Sequence, residues 1–252
     1  MSAAATLVPG QHEPELAGQT VVLIGGSSGI GLETARRARA EGAEVVLTGR
    51  NPDRLSQAAQ EVGARQTAAF DANDGASLRR FFGDLPAPID HVMITAGGPT
   101  YGPLLEMDPD QVKDALGGHV VLPLEVARSA AAKMRPGGTL LFMGGTGGRR
   151  VARGLGIASA ATDALPPFAA ALALELAPVR VNLIAAGFVD TPLSATLLGD
   201  QLDKRRKELR DKLPIGRVVT AADVAALAVH IMANTALTGA TYDIDGGQQL
   251  VE

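Results

Sequence analysis

The sequence predicts a single-domain α/β fold, a doubly wound parallel sheet of about seven strands flanked by helices. Three observations predict it. Short β-branched runs alternate with helix-forming stretches from residue 20 almost to the end, and repeated strand–helix units build parallel sheets with right-handed crossovers. A glycine-rich segment, Gly25-Gly26-Ser27-Ser28-Gly29-Ile30-Gly31, joins the first such run directly to the first helix. The chain has 252 residues, 46% hydrophobic and 20% charged, which suits one large core.

Thr20–Ile24 (TVVLI) is bounded by glycine and reads as a strand buried on both faces. Helix formers fill Gly29–Glu41, and Gly42 supplies the stop. Glu44–Thr48 is the second strand. Asn51 caps a helix that has Pro52 at its first position and runs to about Val62. A strand near Gln66–Phe70, a helix from Asp74, a strand over Asp90–Thr95, a helix over 108–134 and a strand over Thr139–Met143 continue the pattern. Next comes a helix over 164–177, restarted or bent at Pro166-Pro167, where backbone donors are lost. Strand Val179–Ile184, helix 221–234 and strand Thr241–Ile244 close the series. Residues 1–18, Ala-rich with Pro9, Gly10 and Pro14, read as a flexible arm ahead of a domain over 19–252. Residues 187–218 interrupt the alternation and read as a substrate loop over the sheet's carboxyl edge, where ligands bind in such folds, with a short solvated helix over the charged run 203–212.

Composition narrows the function. The net charge is −4 with no long block of either sign, so nucleic acid is not an expected partner. Cysteine is absent, which removes disulfides, thiol nucleophiles and iron–sulfur clusters. His12, His91, His119 and His230 are scattered without ligand spacing, so no metal site is expected. MSAAATLVPG lacks a basic start and an adequate apolar core for a signal peptide. No continuous apolar stretch reaches the roughly 18 residues needed to span a bilayer. A cytoplasmic protein with no membrane partner is expected. Helix 164–177 is apolar around much of its circumference, more than one sheet-facing stripe requires, so a homo-oligomer, dimer or tetramer, is expected too.

The glycine segment carries the first chemistry. Gly25, Gly29 and Gly31 permit a tight turn and a close approach of backbone to a pyrophosphate, and Ser27, Ser28 and Ile30 bring free N–H groups at a helix start. That is the mark of a dinucleotide-binding (Rossmann) unit; a merely connecting Gly-rich turn is the alternative. At the end of the second strand an NAD site places a carboxylate for the ribose 2′-OH. Here stand Gly49 and Arg50, and a guanidinium there suits a 2′-phosphate. NADP(H) is the expected cofactor, the other reading of Arg50 being a surface pair with Asp53.

Over residues 18–250 the sequence resembles the short-chain dehydrogenase/reductase family. GGSSGIG resembles its cofactor loop, and Asp71-Ala72 its Asp beside the adenine. Thr95-Ala96-Gly97 is similar to its Asn-Asn-Ala-Gly segment, without the asparagines. ALELAPVRVN (173–182), followed by Gly187, Val189 and Thr191, resembles the segment that contacts the nicotinamide carboxamide. DVAALAVHIM and LTGATYDIDGG resemble the family's closing helix and strand. The resemblance implies cofactor contacts at these residues, a small-molecule substrate and paired long helices between subunits.

The family's catalytic residues do not carry over. Aligning from GTLLFM puts Gly145 at the serine position and Ala158 at the tyrosine. Counting back from ALELAP also gives Ala158 and places Thr162 at the lysine; the asparagine position falls on His119. Hydride reduction of a ketone creates an alkoxide that a positioned acid must protonate, and losing such an acid forfeits ~10²–10⁴-fold in rate. Asp163 and His119 are the candidate catalytic residues. Asp163 is either a pocket carboxylate that steadies a cationic substrate or the cap of the helix before Pro166. His119 is either an acid or base near pH 7 or part of a structural hydrogen-bond network. Tyr101, after the fourth strand, lies off the family's geometry. Three functions follow: an atypical NADP(H)-dependent reductase of imines or iminium ions, a catalytically silent NADP(H)-binding protein, and a carbonyl reductase using His119 or Asp163 as substitute acid.

Overall fold

The computed structural model describes residues 13–149 and 151–251. Seven strands form one parallel sheet: β1 (Thr20–Ile24), β2 (Glu44–Gly49), β3 (Gln66–Ala69), β4 (Ile89–Ile94), β5 (Met134–Gly145), β6 (Arg180–Ala186) and, after a short pair outside it, β9 (Thr241–Ile244). The pair is β7 (Val189–Asp190) with β8 (Val219–Thr220). The order β3-β2-β1-β4-β5-β6-β9 reverses between β1 and β4, and the crevice at such a switch point is where α/β sheets bind ligands.

The helices follow the alternation: α1 (Gly29–Ala40), α2 (Pro52–Val62), α3 (Gly75–Asp84), α4 (Pro109–Leu116), α5 (Leu122–Ala130), α6 (Gly156–Asp163), α7 (Leu165–Glu175), α8 (Pro192–Leu198), α9 (Leu202–Lys212), α10 (Ala221–Ala233) and α11 (Gln248–Val251). Several start where the side chains dictate. Asn51 accepts from Arg54 N at 2.8 Å, and Asp74 accepts from Ala76 N at 3.0 Å. Thr220 and Asp223 cap α10 reciprocally. One core layer packs α3, α5 and α7 against one sheet face, around Phe82, Phe142 and Leu165. The other packs α1, α2 and α10 against the opposite face, around Leu23, Leu47 and Met93.

Two expectations are corrected. Of the arm read over residues 1–18, residues 1–12 lie outside the described residues. Residues 13–18 are not loose: Leu16 is fully buried and its N–H donates to Glu41 O at 3.0 Å, because its apolar side chain fills the core layer beside Ala43. The helix over 108–134 is broken by a π turn at Gly117–Val121 and ends in a 3₁₀ turn at Ala131–Lys133. Gly117-Gly118 contribute no side chain to hold the regular ladder, and π turns recur at functional sites. The expected restart at Pro166-Pro167 is what the fold shows: α6 ends at Asp163 and α7 begins at Leu165, with the prolines in its first turn. Together α6 and α7 make Gly156–Glu175 long and apolar enough, by length and composition, to cross a membrane. Leu165, Ala169 and Leu172 of that run are instead packed in the core. The loop over 187–218 carries the expected short helix, α9 over Leu202–Lys212, together with β7, α8 and a small core of Leu209, Leu213 and Val218 against Phe188.

Candidate dinucleotide and substrate site

The glycine segment forms a cradle at the carboxyl end of β1. A Cβ built on Gly25, whose φ is +101°, would stand 2.6 Å from Ala96 N, so no side chain fits there. One built on Gly31 would stand 2.5 Å from Thr95 Oγ1. The Thr95 hydroxyl donates to Gly25 O at 3.0 Å, and Ala96 N–H donates to Ile24 O at 2.9 Å, tying the end of β4 to the turn after β1. Ser28 is the N-cap of α1, and its side chain makes no cap hydrogen bond. No acidic residue stands in the first turn of α1. The helix start therefore presents N–H groups and the positive end of the dipole without a competing carboxylate.

The ribose end is built by β2 and β3. Ser27 lies against Gly49, where a Cβ would approach the Ser27 oxygen to 2.8 Å. Arg50 follows, exposed, and among the described residues it makes no ion pair with Asp53. Asp71 is exposed and folds its carboxylate onto Asn73, accepting from the backbone N–H at 3.0 Å; Ala72 beside it is buried. Gly97 has φ +106°, and a Cβ there would meet nothing within 4 Å, so open space lies beside it.

Across the crevice, the segment after β6 closes the other side. Gly187 is pressed against the last strand, since a Cβ would stand 2.7 Å from that of Asp245. Phe188 N–H donates to Gln248 Oε1 at 2.8 Å. Val189 is buried in β7, and Thr191 caps α8 by exchanging hydrogen bonds with Ser194. A Cβ on Gly29 would lie 3.7 Å from that of Thr191, so the cradle and this segment meet although 162 positions separate them. Glycines that no Cβ could replace, a helix start free of carboxylates and an unpaired Arg50 fit a dinucleotide.

Gly145, Ala158 and Thr162, the positions that the sequence resemblance singled out, also converge. Gly145 ends β5, and a Cβ there would lie 3.4 Å from Thr162 Cγ2. Thr162 turns its hydroxyl back onto its own helix, donating to Ala158 O at 2.9 Å. Ala158 is buried one turn earlier. Asp163 points elsewhere. A Cβ on Gly148 would stand 2.7 Å from its Oδ2 and closer still to Oδ1, so the carboxylate occupies the place a side chain at 148 would take. Ser159, one turn back on the same face, donates to Gly147 O at 3.1 Å. The N-cap of α7 is Ala164, not Asp163, so the capping reading of Asp163 is not what the fold uses. Arg149, in the same turn, grips Asp243 from both terminal nitrogens and donates to Gln249 Oε1 at 2.8 Å. The Asp163 and Asp245 charges add to that pair in raising the Arg149 pKa.

His119 lies in the π turn, against which α6 packs. Its Nδ1 faces Ala115 O at 2.9 Å; a carbonyl only accepts, so Nδ1 carries the proton. The neutral ring then has Nε2 as an acceptor, and His119 serves as an acid only as the imidazolium. Tyr101 is about half-exposed, and partial burial pushes its phenol above the ordinary value.

A family model described as enoyl-(acyl carrier protein) reductase matches residues 25–249. The chain belongs to the short-chain dehydrogenase/reductase family. The short-chain dehydrogenase/reductase ATR9 of Stachybotrys chlorohalonatus is 29% identical over 93% of this chain and 98% of its own length. The structure of the MalC reductase/Diels-Alderase from Malbranchea aurantiaca is 25% identical, with a TM-score of 0.85 over 94% of this chain and 98% of that one. A structure of BdcA in complex with NADPH is 28% identical, with a TM-score of 0.82 over 92% and 95%.

Within this short-chain dehydrogenase/reductase, two residues matter that the sequence did not single out. Thr95 is the buckle between β1 and β4; its position was legible, its role was not, because an Asn-to-Thr change looks like a simple loss of an amide. Gly148 looked like one more glycine in Gly144-Gly145-Thr146-Gly147-Gly148, and only the packing of α6 shows what its missing side chain accommodates.

Proposed function

We propose that this chain is an NADP(H)-dependent oxidoreductase that reduces a preformed cationic acceptor, an imine in its iminium form, rather than a ketone. One observation carries the reading. Gly145, Ala158 and Thr162 converge at the carboxyl edge of β5, and none offers a proton: the first two have no polar side-chain atom, and the third spends its hydroxyl on its own helix. NADPH when bound supplies a hydride. An acceptor that is already positive becomes a neutral amine on receiving it, so no alkoxide forms and no acid is required. The chain's own work is to hold and orient. Gly25, Gly29 and Gly31 let the backbone approach the pyrophosphate, with Ser27, Ser28 and Ile30 at the helix start. Arg50 takes the 2′-phosphate, Asp71 and Ala72 border the adenine, and Ala96 and Gly97 with Gly187, Val189 and Thr191 hold the nicotinamide end. Asp163, exposed at the end of α6, adds negative potential toward a cationic substrate. The reductase named in the MalC structure supports turnover. A cytoplasmic homo-oligomer without metal or nucleic acid completes the proposal.

The test follows NADPH absorbance with matched cyclic imines and ketones from pH 6 to 9, in the wild type and in Asp163→Asn. Imine reduction that falls in Asp163→Asn at unchanged NADPH affinity is the expected result. Robust ketone reduction without imine activity overturns the proposal. Tight NADPH binding with no turnover of either leaves a silent NADP(H)-binding protein.

A further inference from the structure

Three segments border the crevice at the carboxyl edge of the sheet: residues 95–105 after β4, 154–162 leading through α6, and 191–199 around α8. The first touches each of the other two. A Cβ on Gly98 would lie 3.4 Å from Leu193 Cδ2, Gly102 N–H donates to Gly154 O at 2.9 Å, and a Cβ on Gly156 would stand 2.7 Å from Leu104 Cδ1. None of the three carries a charged residue, although 20% of the whole chain is charged. What they leave exposed is apolar: Leu105 fully, and Tyr101, Leu104, Leu193 and Leu197 about half. The inner wall is cut back as well. Gly145 and Ala158 occupy positions where larger side chains fit the family pattern, and a Cβ on Gly97 or Gly147 would meet nothing within 4 Å.

We infer that the acceptor is a bulky, largely hydrocarbon molecule, free of phosphate and carboxylate, whose apolar body lies on Tyr101, Leu105, Leu193 and Leu197. This rests on the hydride-transfer reading and names the substrate class of the same site. Exposed apolar side chains on these adjoining segments recover free energy only when apolar surface covers them, at roughly 25 cal/mol per Å². An anionic substituent has no cation to meet in these segments. Arg149 is committed to Asp243, the exposed Arg153 stands just ahead of Gly154 outside these segments, and the exposed carboxylate of Asp163 repels an anion. The narrow features of the wall are absent where the family's serine and tyrosine stand, so a wide body fits and a small polar one is held by little.

The experiment measures binding without turnover, by calorimetry on NADP⁺-loaded protein. The probes are N-methylpyrrolidinium, its phenyl- and naphthyl-substituted homologues, and the naphthyl homologue bearing a carboxylate. Affinity should rise about tenfold or more from the methyl to the naphthyl member, and the carboxylate should remove at least tenfold. Leu105→Asp, whose side chain is fully exposed and holds nothing in place, should flatten the size dependence several-fold. Equal affinity along the series, no binding by any member, or tighter binding of the carboxylate overturns the inference. The two proposals fail separately. Retained apolar preference with no imine turnover sinks hydride transfer alone, and turnover that ignores apolar size sinks this inference alone.

Discussion

Gly31 and Thr95 occupy one another's space: a methyl group on the first would stand 2.5 Å from the hydroxyl oxygen of the second. That hydroxyl already donates to Gly25 O at 3.0 Å and lies 3.3 Å from Ile24 O. The turn after β1 is thus locked by the end of β4, and the lock works only while position 31 has no side chain. Gly31→Ala should push Thr95 off the turn, lower stability by about 1–3 kcal/mol through overpacking and weaken NADPH binding. Thr95→Val keeps the volume and loses the hydrogen bonds, and should cost about 1 kcal/mol with a milder loss of affinity. Urea unfolding and NADPH titration of the two variants check both.

Arg50 follows β2 with no carboxylate at Gly49 and no ion pair to Asp53 among the described residues. Arg50→Asp should weaken NADPH by about 1–3 kcal/mol, the scale of a charged hydrogen bond, and should narrow or reverse the preference over NADH. Calorimetry with both cofactors decides it. Tighter NAD than NADP binding by the unaltered protein would remove the basis for assigning the 2′-phosphate to this residue.

His91 should make the fold sensitive to acid. It is buried at the amino end of β4, beside Asp90 and near Arg135 and Arg180, and its Nε2 lies 2.6 Å from Gln19 Oε1. Burial drives its pKa from 6.5 to about 4, against the opposing pull of Asp90 and with help from the two arginines. Between those values the unfolded chain takes up a proton that the native chain refuses. Stability is therefore full above pH 6.5 and falls as pH drops toward 4, by on the order of 3 kcal/mol at the limit. Urea midpoints between pH 7.5 and 4.5 should show that slope, and His91→Gln should flatten part of it.

The outer face of α6 and α7 should lie between copies of the chain. Ala160, Pro167, Ala171 and Leu174 are exposed at helical spacing along Gly156–Glu175, so an apolar stripe remains after the core has taken Leu165, Ala169 and Leu172. Light scattering at micromolar concentration should give a dimer or tetramer, and Leu174→Asp should shift it toward monomer. A monomeric wild type would count decisively against the pairing.

Most of the sheet and the tight glycine turn after β1 was legible in the sequence because the signals are local. A β-branched run, a cap residue or a glycine demanded by a tight turn acts through its immediate neighbours, and TVVLI, Asn51 with Pro52, and GGSSGIG act where they stand. Tertiary structure alone decided what each side chain faces across the fold. The 108–134 stretch reads as one helix despite Gly117-Gly118 and Pro123, yet it opens into a π turn at Gly117–Val121, where α6 packs against it. Leu16, in a segment of loop composition, is buried because the layer between α1 and β2 has room for it. Asp163 turns toward Gly148 rather than capping α7 or facing Gly145, because the start of α7 is set by Ala164 and the room by a glycine 15 positions earlier. Such destinations depend on distances between residues remote in the chain, and spacing along one strand of sequence contains no measure of them.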